Sequence, residues 1–285
     1  MKIAFASCAK IQDFPVQPAW KRIQDEEPDL LILLGDNVYA PNNRLDLSKL
    51  ERRYQQQLDE SNFKALIEEV PFKAIWDDHD FGPDNAKGAA FDESYKVAAR
   101  DLFHQYMNSS TNLPEAYYSF EQGGVHFIML DVRYYREDRA GSVNATPLGA
   151  TQFQWFKEEM EKDADYKIVC SGSCLTRVKT VQNEYLAQYK NFYNNEFLPL
   201  LEASNRLLVL TGDVHRNFIK VHSGFFELIS SGVGRGGVLS KRIRNNYGTI
   251  EFKNDEVFIR LRGERKKDRM SMTIDASNWN FRLHG

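Results

Sequence analysis

The chain has few cysteines and no extended apolar segment. Its 285 residues include three cysteines, Cys8, Cys170 and Cys174. A small, odd number in a chain of this length argues against a disulfide framework and for thiols in a reducing compartment. The first residues, MKIAFASCAK, hold an apolar stretch too short for a secretory signal or a membrane span. We therefore expect a soluble, cytoplasmic protein with no membrane partner.

An excess of positive charge is also absent. Lysine and arginine number 37 against 40 aspartate and glutamate, for a formal net charge of −3. Proteins that bind nucleic acids or anionic membranes usually carry a basic excess, so no nucleic-acid partner is indicated, and a small anionic substrate would need a local positive site. Internal repeats, low-complexity tracts and long linkers are missing, so we predict a single domain over residues 1–285. No feature of the sequence indicates the oligomeric state.

Short apolar runs alternate with helical patterns along the first three quarters of the chain. Apolar runs that end in polar or small residues, as buried strands do, cover residues 2–7, 30–34, 72–76, 125–130, 167–171 and 206–210. Apolar residues at helical spacing predict helices over 51–70, 91–107, 153–160 and 185–197. After residue 215 only strands are predicted, at 225–230, 248–252, 257–262 and 270–274. This order indicates an α/β domain in which a second sheet packs on the first.

Chemically reactive side chains follow most of the predicted strands. Because the carboxyl ends of parallel strands meet at one edge of a sheet, residues distant in sequence can converge there. The residues at these ends are Cys8, Asp36, Tyr39, Asp77, Asp78, His79, Asp131, Arg133, Asp213 and His215. Carboxylates, a thiol, a phenol and imidazoles are costly to bury together unless cations neutralise them. The pattern therefore predicts a pair of metal ions.

The local spacings are compatible with shared ions. Asp213 and His215 are two residues apart, so both side chains point to the same face of an extended segment. In the segment LLGDNVYA, Asp36 and Tyr39 can share one ion, with Asp36 bridging both metals and Tyr39 bound as a phenolate. Phenolate and thiolate ligands favour iron, whereas carboxylates suit Ca²⁺, Mg²⁺ or Mn²⁺. Two ions a few ångströms apart are typical of phosphoester hydrolysis.

Six ordered segments carry a resemblance to a known family. They are FASC, LLGDNVYA, IWDDHDFGPDNA, YYSFEQGGVHFIMLDVRYYR, LGATQFQWF and LTGDVHRNF. Together they resemble the PhoD-like alkaline phosphatases of the calcineurin-like metallophosphoesterase superfamily, from Ile3 to about Ser231. The resemblance implies an α/β fold, a four-layer α/β/β/α sandwich of two packed mixed sheets, and an enzyme that hydrolyses small-molecule phosphoesters.

The same resemblance implies the metals and their ligands. It places Fe³⁺ on residues matching Cys8, Asp36, Tyr39 and His215. The second ion, often Ca²⁺ in the family, is held by residues matching Asp36, the Asp-Asp-His segment and Asp213. Of Asp77 and Asp78 we expect Asp78 to be the ligand, because the usual ligand of the superfamily directly precedes its histidine.

The expected mechanism is direct hydrolysis by a metal-bound hydroxide, without a covalent enzyme intermediate. The resemblance places Arg133 at the phosphate, where a guanidinium can pair with two oxygens. His79 is expected to stabilise or protonate the leaving oxygen. One segment departs from the family pattern: many relatives read Gly-x-Asn-Asp, whereas this chain reads Gly82-Pro83-Asp84-Asn85. The family asparagine that contacts metal or phosphate is then Asn85, which we expect, or is replaced by Asp84.

Two other functions remain open from the sequence. A phosphodiesterase or nuclease would use the same metal centre, and a pocket narrowed by Tyr117, Tyr134 and Tyr135 would suit a flat leaving group. A non-catalytic phosphate-binding or metal-binding module would retain the fold, although the intact residues at the strand ends argue against it.

Two further stretches are expected to be structural. Residues 232–237, Gly-Val-Gly-Arg-Gly-Gly, lack the Lys-Ser/Thr of a P-loop and predict a flexible turn, from which Arg235 could still reach a substrate. Arg136 is expected to form a surface ion pair.

Overall fold

The computed structural model of the chain describes residues 1–39, 46–107, 114–139, 142–178, 184–236 and 242–284. Within these ranges the strands are β1 (Lys2–Ala6), β2 (Leu30–Leu34), β3 (Phe72–Ile75), β4 (Tyr118–Gln122), β5 (Val125–Met129), β6 (Tyr166–Ser171), β7 (Leu207–Thr211), β8 (Asn217–Val221), β9 (Phe225–Ser230), β10 (Tyr247–Lys253), β11 (Glu256–Arg262), β12 (Met270–Asp275) and β13 (Phe281–His284). The helices are α1 (Pro18–Asp25), α2 (Leu47–Leu58), α3 (Ser61–Glu69), α4 (Asp78–Phe81), α5 (Glu93–Met107), α6 (Gly149–Glu161), α7 (Lys190–Phe192) and α8 (Leu198–Ala203). Short 3₁₀ turns lie at Gly88–Ala90, Leu186–Gln188 and Lys266–Asp268, and a π-helical turn at Tyr193–Phe197 joins α7 to α8.

The strands form two mixed sheets. The first has the order β13-β12-β11-β10-β1-β2-β3, and the second has the order β4-β5-β6-β7-β9-β8. In the first sheet β1, β2 and β3 are parallel, and the late strands continue the sheet from β1 in antiparallel pairs. In the second sheet β5, β6, β7 and β9 are parallel, with β4 and β8 antiparallel at the two edges.

Side chains that alternate along each strand divide the core into three apolar layers. Ile3 and Phe5 of β1 face the second sheet, whereas Ala4 and Ala6 face the helices of the N-terminal half. The far side of the second sheet packs against α6 and α8 through residues such as Phe156. Because successive strand residues point to opposite faces, the central strands of both sheets, such as β2 and β7, are buried on both sides. The layers therefore run α/β/β/α, which confirms the predicted fold.

The order of the strands differs from the sequence interpretation in one respect. The late meander of β10 to β13 extends the first sheet, with Ile3 opposite Ile250, instead of forming the second sheet. Strands β4, β8 and β13 and helices α1, α4 and α8 were not predicted, and the predicted helix over 51–70 is two helices, α2 and α3. The predicted helix over 185–197 is a succession of short turns and α7. No helix in the described part of the chain has both the length and the apolar character that crossing a membrane requires.

Candidate metal centre

The loops that follow the strands of both sheets lie close together and are linked by backbone hydrogen bonds. Cys8 lies just beyond β1, and its N–H donates to the carbonyl of Gly35, just beyond β2 (3.3 Å). The next N–H, that of Ala9, donates to the carbonyl of Asp36 (2.9 Å). On the other side, the N–H of Gly232 donates to the Ser7 carbonyl (3.0 Å), which links the end of β9 to the end of β1. The reactive side chains are thus carried by mutually supported loops.

Five of the predicted site residues have a left-handed backbone. The φ angles are 64° at Cys8, 51° at Asp36, 59° at Asn85, 69° at Asp213 and 51° at His215. A residue other than glycine in this region costs roughly 1–3 kcal/mol and persists only where its surroundings impose the conformation, most often at functional sites. The strain therefore coincides with the residues selected from the sequence for their chemistry.

A first group of ligand-type side chains surrounds one oxygen of Asp36. The Cys8 thiol donates to Asp36 Oδ2 (3.3 Å), and the Tyr39 hydroxyl donates to the same oxygen (2.7 Å). The Tyr39 oxygen also lies 3.3 Å from His215 Nε2. Ligand atoms of Cys8, Asp36 and His215 all lie within 4.8 Å of one another, the separation that a shared ion requires. This is the set of side chains predicted for the iron position.

A second group shares Asp36 with the first. Ligand atoms of Asp36, Asp78 and His79 lie within 4.8 Å of one another, and all three residues are buried. Asp78 Oδ1 and His79 Nδ1 are enclosed and have no hydrogen-bond partner among the described residues. Asp213 belongs to neither group, but the charges of Asp77, Asp78 and Asp36 act on its carboxyl. A buried acceptor without a partner is costly, and a cation between the carboxylates would remove that cost.

Burial and mutual repulsion shift the protonation of the acidic groups. Burial, followed by the charge of Asp78, raises the pKa of Asp36 to about 8. Burial and the neighbouring carboxylates also raise the pKa of Asp213 well above its usual value. The pKa of the Cys8 thiol and that of the Tyr39 hydroxyl are raised by burial and then by the charge of Asp36. Each of these groups would be ionised by a cation in contact with it, so metal binding and proton release are coupled here.

The two histidines of the centre are shifted in opposite directions. Burial and then the nearby charge of Arg235 lower the pKa of His215 well below its usual value, which leaves a neutral ring that can coordinate a metal. Burial also acts to lower the pKa of His79, but the Asp78 and Asp36 carboxylates outweigh it and raise the pKa to about 9. Despite burial, Arg133 and His79 hold the pKa of Asp78 below its usual value.

Asp77 and Arg133 contact each other next to the second group. Asp77 Oδ1 accepts from Arg133 Nε (2.5 Å), whereas Asp78 Oδ1 lies 3.6 Å from Arg133 Nη2. Asp77 therefore forms an ion pair with Arg133, whereas Asp78 faces Asp36 and His79. Arg133 itself is only 1% exposed. Its guanidinium is enclosed by protein, whereas the sequence-based expectation placed it at the substrate.

The segment that departs from the family pattern forms a small turn beside the second group. The N–H of Asn85 donates to Asp78 Oδ2 (2.6 Å), and the Asn85 side chain donates to Asp84 (2.7 Å). Asp84 Oδ1 lies 3.4 Å from His79 Nε2. Both candidate residues therefore act on the centre, Asn85 through its backbone and Asp84 through its carboxylate.

Comparisons with known proteins show the family. The sequence model of the family described as PhoD-like phosphatase matches residues 3–280. The chain belongs to this family. It is 28% identical over 213 residues to Purple acid phosphatase 23 of Arabidopsis thaliana, covering 68% of this chain and 42% of that protein. It is also 28% identical over 149 residues to Purple acid phosphatase 15 of Arabidopsis thaliana, covering 47% and 25%.

The chain thus spans less than half the length of these two curated relatives. Among solved structures, the one titled "Structure of PhoD" aligns with a TM-score of 0.79 at 20% identity, covering 100% of this chain and 71% of that chain. The shared fold and the family match confirm the resemblance that the six sequence segments indicated.

Sequence reasoning missed several residues that support the centre in this PhoD-like chain. Asp80 accepts from the N–H groups of Asp77 (3.0 Å) and Asn37 (3.2 Å) and from the Tyr54 hydroxyl (3.2 Å), so it fastens the ends of β2 and β3 together. Burial raises its pKa to about 7. Ser231 donates to Cys8 Sγ (3.1 Å). Apart from Asp77, their partners lie far away in sequence, so no local pattern shows these contacts.

Some structural interpretations from the sequence were wrong. Arg136 is fully buried: Nε donates to the Tyr189 hydroxyl (3.2 Å) and Nη1 to Ser173 Oγ (3.3 Å), so it is no surface ion pair. Tyr134 is 4% exposed and bonded to Glu93, so it is packed in the core and does not line an open pocket.

The glycine-rich stretch is likewise not a free turn in its described part, residues 232–236. It is bonded to the loop after β1, and residue 237 lies outside the described residues. The three cysteines are buried and free, as the sequence indicated.

Proposed function

We propose that the protein is a metal-dependent phosphoester hydrolase that acts as a phosphatase on small phosphoesters. The observation that carries this proposal is the position of Asp36, which belongs to two adjacent groups of buried ligand-type side chains. One bridging carboxylate with a separate set of ligands on each side is what a two-metal site needs. Family membership and the phosphatase relatives support the reaction class.

The donor atoms fit two different cations. A thiol, a phenol, an imidazole and a carboxylate at Cys8, Tyr39, His215 and Asp36 suit Fe³⁺, which accepts sulfur and phenolate ligands. Oxygen atoms of Asp36, Asp78 and Asp213 suit a hard divalent ion, Ca²⁺ first and Mg²⁺ or Mn²⁺ as alternatives. When bound, such a pair supplies positive charge to the phosphate oxygens and lowers the pKa of the attacking water.

The residues around the metal ligands perform the remaining tasks. In the metal-free protein the Asp78 and Asp36 carboxylates outweigh burial and raise the pKa of His79 to about 9. Its imidazole is the group that we expect to give a proton to the leaving oxygen. Asp84 holds its Nε2 (3.4 Å), and Asp36 accepts from its backbone N–H (3.4 Å). The Asn85 N–H orients Asp78 (2.6 Å), and the Asn85 side-chain amide donates to Asp84 (2.7 Å). These contacts orient His79 and Asp78 before the substrate binds.

The first test is the visible absorption spectrum of the purified protein with elemental analysis of the same sample. We expect bound iron and a phenolate-to-iron charge-transfer band that disappears in Tyr39→Phe. The matched control is Tyr106→Phe, a tyrosine of α5 that bonds to Glu51 and Gln55 (2.8 and 3.0 Å), away from the centre; its spectrum should equal that of the wild type. A colourless protein without iron that still hydrolyses phosphoesters would contradict the iron assignment.

The second test is hydrolysis by Asp36→Asn, because the amide keeps the size of the side chain but cannot bridge two cations. We expect turnover of p-nitrophenyl phosphate to fall to background while the unfolding temperature without metal stays close to that of the wild type. Asp29→Asn, at an exposed carboxylate that accepts from the Lys2 N–H (2.7 Å), is the control and should retain activity. Metal-dependent activity that survives in Asp36→Asn would refute the two-metal proposal. Running bis(p-nitrophenyl) phosphate in parallel separates a monoesterase from the alternative diesterase.

A further inference from the structure

We propose that the Arg235 guanidinium binds the phosphate of the substrate. Arg133 is instead a positioning residue that holds Asp77 and Asp78 in place. The inference rests on the proposed phosphoester hydrolysis and assigns a residue to substrate recognition in that same site. It reverses the role that the sequence suggested for Arg133.

Protein groups already accept hydrogen bonds from four of the five N–H donors of Arg133. A guanidinium has five N–H groups in a fixed planar arrangement. Nε donates to Asp77 (2.5 Å), Nη1 donates to Glu184 (2.6 Å) and to the carbonyl of Ala86 (3.2 Å), and Nη2 donates to Ser173 (3.2 Å).

The remaining Nη2 donor lies beside Asp78 Oδ1 (3.6 Å), and the side chain is 1% exposed. Any contact with phosphate would break a buried charge pair, and leaving a buried carboxylate uncompensated is strongly unfavourable.

Arg235 approaches the centre from the opposite side. Its Cζ lies 4.5 Å from the centroid of the Tyr39 ring, and the Tyr39 hydroxyl contacts Asp36 and His215. Its side chain is partly exposed, unlike that of Arg133. The other cation at this ring, Lys10 Nζ, is farther from the centroid (5.9 Å) and is paired with Asp13 (2.6 Å). Arg235 therefore presents a partly exposed guanidinium beside the first ligand group.

The backbone holds Arg235 in this position. The N–H of Gly234 donates to the Cys8 carbonyl (3.2 Å), and the Gly234 carbonyl accepts from the N–H of Lys10 (3.0 Å). On its other side the Arg235 carbonyl accepts from the N–H of Arg244 (3.0 Å). The arginine is thus fastened to the loop that carries a predicted metal ligand, and little ordering remains to be done on binding.

The chemistry matches a phosphate oxyanion. A planar guanidinium pairs with two oxygens of a phosphate through charge-assisted hydrogen bonds. The Arg235 side chain also hydrogen-bonds to Tyr39, and its other N–H donors remain for the phosphate. Binding of this kind moves no proton and breaks no bond. It also supplies the local positive charge that an anionic substrate needs in a chain with a net charge of −3.

The test compares Arg235→Gln and Arg235→Lys with the wild type. We expect Arg235→Gln to weaken competitive inhibition by inorganic phosphate and to lower kcat/KM for p-nitrophenyl phosphate by about ten- to hundredfold, the effect of losing a charged hydrogen bond. Arg235→Lys should recover part of the loss, because the charge remains and the two-pronged geometry does not. Metal content and unfolding temperature should not change. Arg282→Gln, at a side chain 78% exposed on β13, is the control for loss of an arginine.

The outcomes separate the roles of the two arginines. Unchanged phosphate inhibition in Arg235→Gln would overturn the proposal, as would a change confined to the absorption of Tyr39-bound iron. Arg133→Lys should lose stability or metal; if it instead weakens phosphate binding with both retained, the assignment is reversed. Titration calorimetry with inorganic phosphate compares wild type and Arg235→Gln without turnover, so an inactive wild type would refute the hydrolase proposal alone.

Discussion

Gly35 lies between the last buried residue of β2 and Asp36, in direct contact with Asp77. Its φ is +80°, and a Cβ built on it would lie 2.6 Å from the Cβ of Asp77. Gly172, after β6, is in the same situation, since its Cβ would lie 2.6 Å from the Cγ of Asp77. The aspartate that pairs with Arg133 is therefore enclosed by glycines from both sheets. Any side chain at either glycine would push the strand ends apart.

We predict that Gly35→Ala lowers the free energy of unfolding by at least about 2 kcal/mol, because it combines left-handed backbone strain with a steric overlap. The measurement is urea-induced unfolding of the metal-free protein. Gly82→Ala is the matched control: its φ is −177° and its nearest neighbour would be Ala86 Cβ at 3.4 Å. Equal destabilisation by the two alanines would contradict the argument.

At this scale the sequence predicts which residues converge but not how they are held. Cys8, Asp36 and His215 lie together as expected, because strand ends in an α/β fold share one edge. Aspartate and histidine adopt a left-handed backbone more readily than most residues, but the sequence does not show which of them do so here. Glu184, which engages Arg133, is 51 residues away in sequence, so no local spacing could reveal that the arginine was already occupied.

At the scale of elements, Glu60 explains why one predicted helix is two. It caps α3 by accepting from the N–H of Phe63 (2.7 Å), and it also accepts from the N–H of Gln17 (3.1 Å) just before α1. Apolar residues continue at helical spacing through both helices, so periodicity alone does not show the break. The capping carboxylate marks it, since helix N-termini need acceptors for their free N–H groups.

We expect Glu60→Ala to lower the free energy of unfolding by about 1–2 kcal/mol, because it removes a cap and leaves buried donors without an acceptor. Glu60 is 4% exposed, whereas Glu68 on the same helix is exposed, so Glu68→Ala is the control and should change stability by less than about 0.5 kcal/mol. Chemical denaturation of the two variants gives both values. A loss at Glu60 no larger than that at Glu68 would show that the cap is not needed.

Some strands can be predicted from the sequence, whereas others have no sequence pattern and form through pairing with neighbouring strands. Strands β1, β2 and β7 are buried throughout or nearly so, and continuous apolar runs reveal them. All four residues of β13 are exposed, so no apolar pattern marks it. Strand β10 pairs with β1, although the two are separated by almost the whole chain. This pairing depends on the packing of the folded layers, and no local sequence pattern predicts it.

For the whole molecule, burial of ionisable groups makes stability depend on pH beyond the metal centre. His104 of α5 is an example, because burial and then the charge of Arg100 lower its pKa below the usual value. Both of its ring nitrogens are shielded from water. The folded protein therefore keeps this ring neutral at a pH where the unfolded chain has already bound a proton.

The sign of the effect follows from proton linkage. Between the lowered folded pKa and the unfolded value near 6.5, the unfolded state binds more protons, so stability is fully present above this range and falls as the pH decreases through it.

We predict that the free energy of unfolding of the metal-free protein falls more steeply from pH 7.5 to pH 5 in the wild type than in His104→Gln. The slope difference cannot exceed about 1.4 kcal/mol per pH unit, the limit for one proton, and the partial exposure of the ring makes it smaller. Urea unfolding at a series of pH values measures it, with His284→Gln, at an exposed position on β13, as the control. Parallel curves for wild type and His104→Gln would show that another buried group carries the acid sensitivity of the fold.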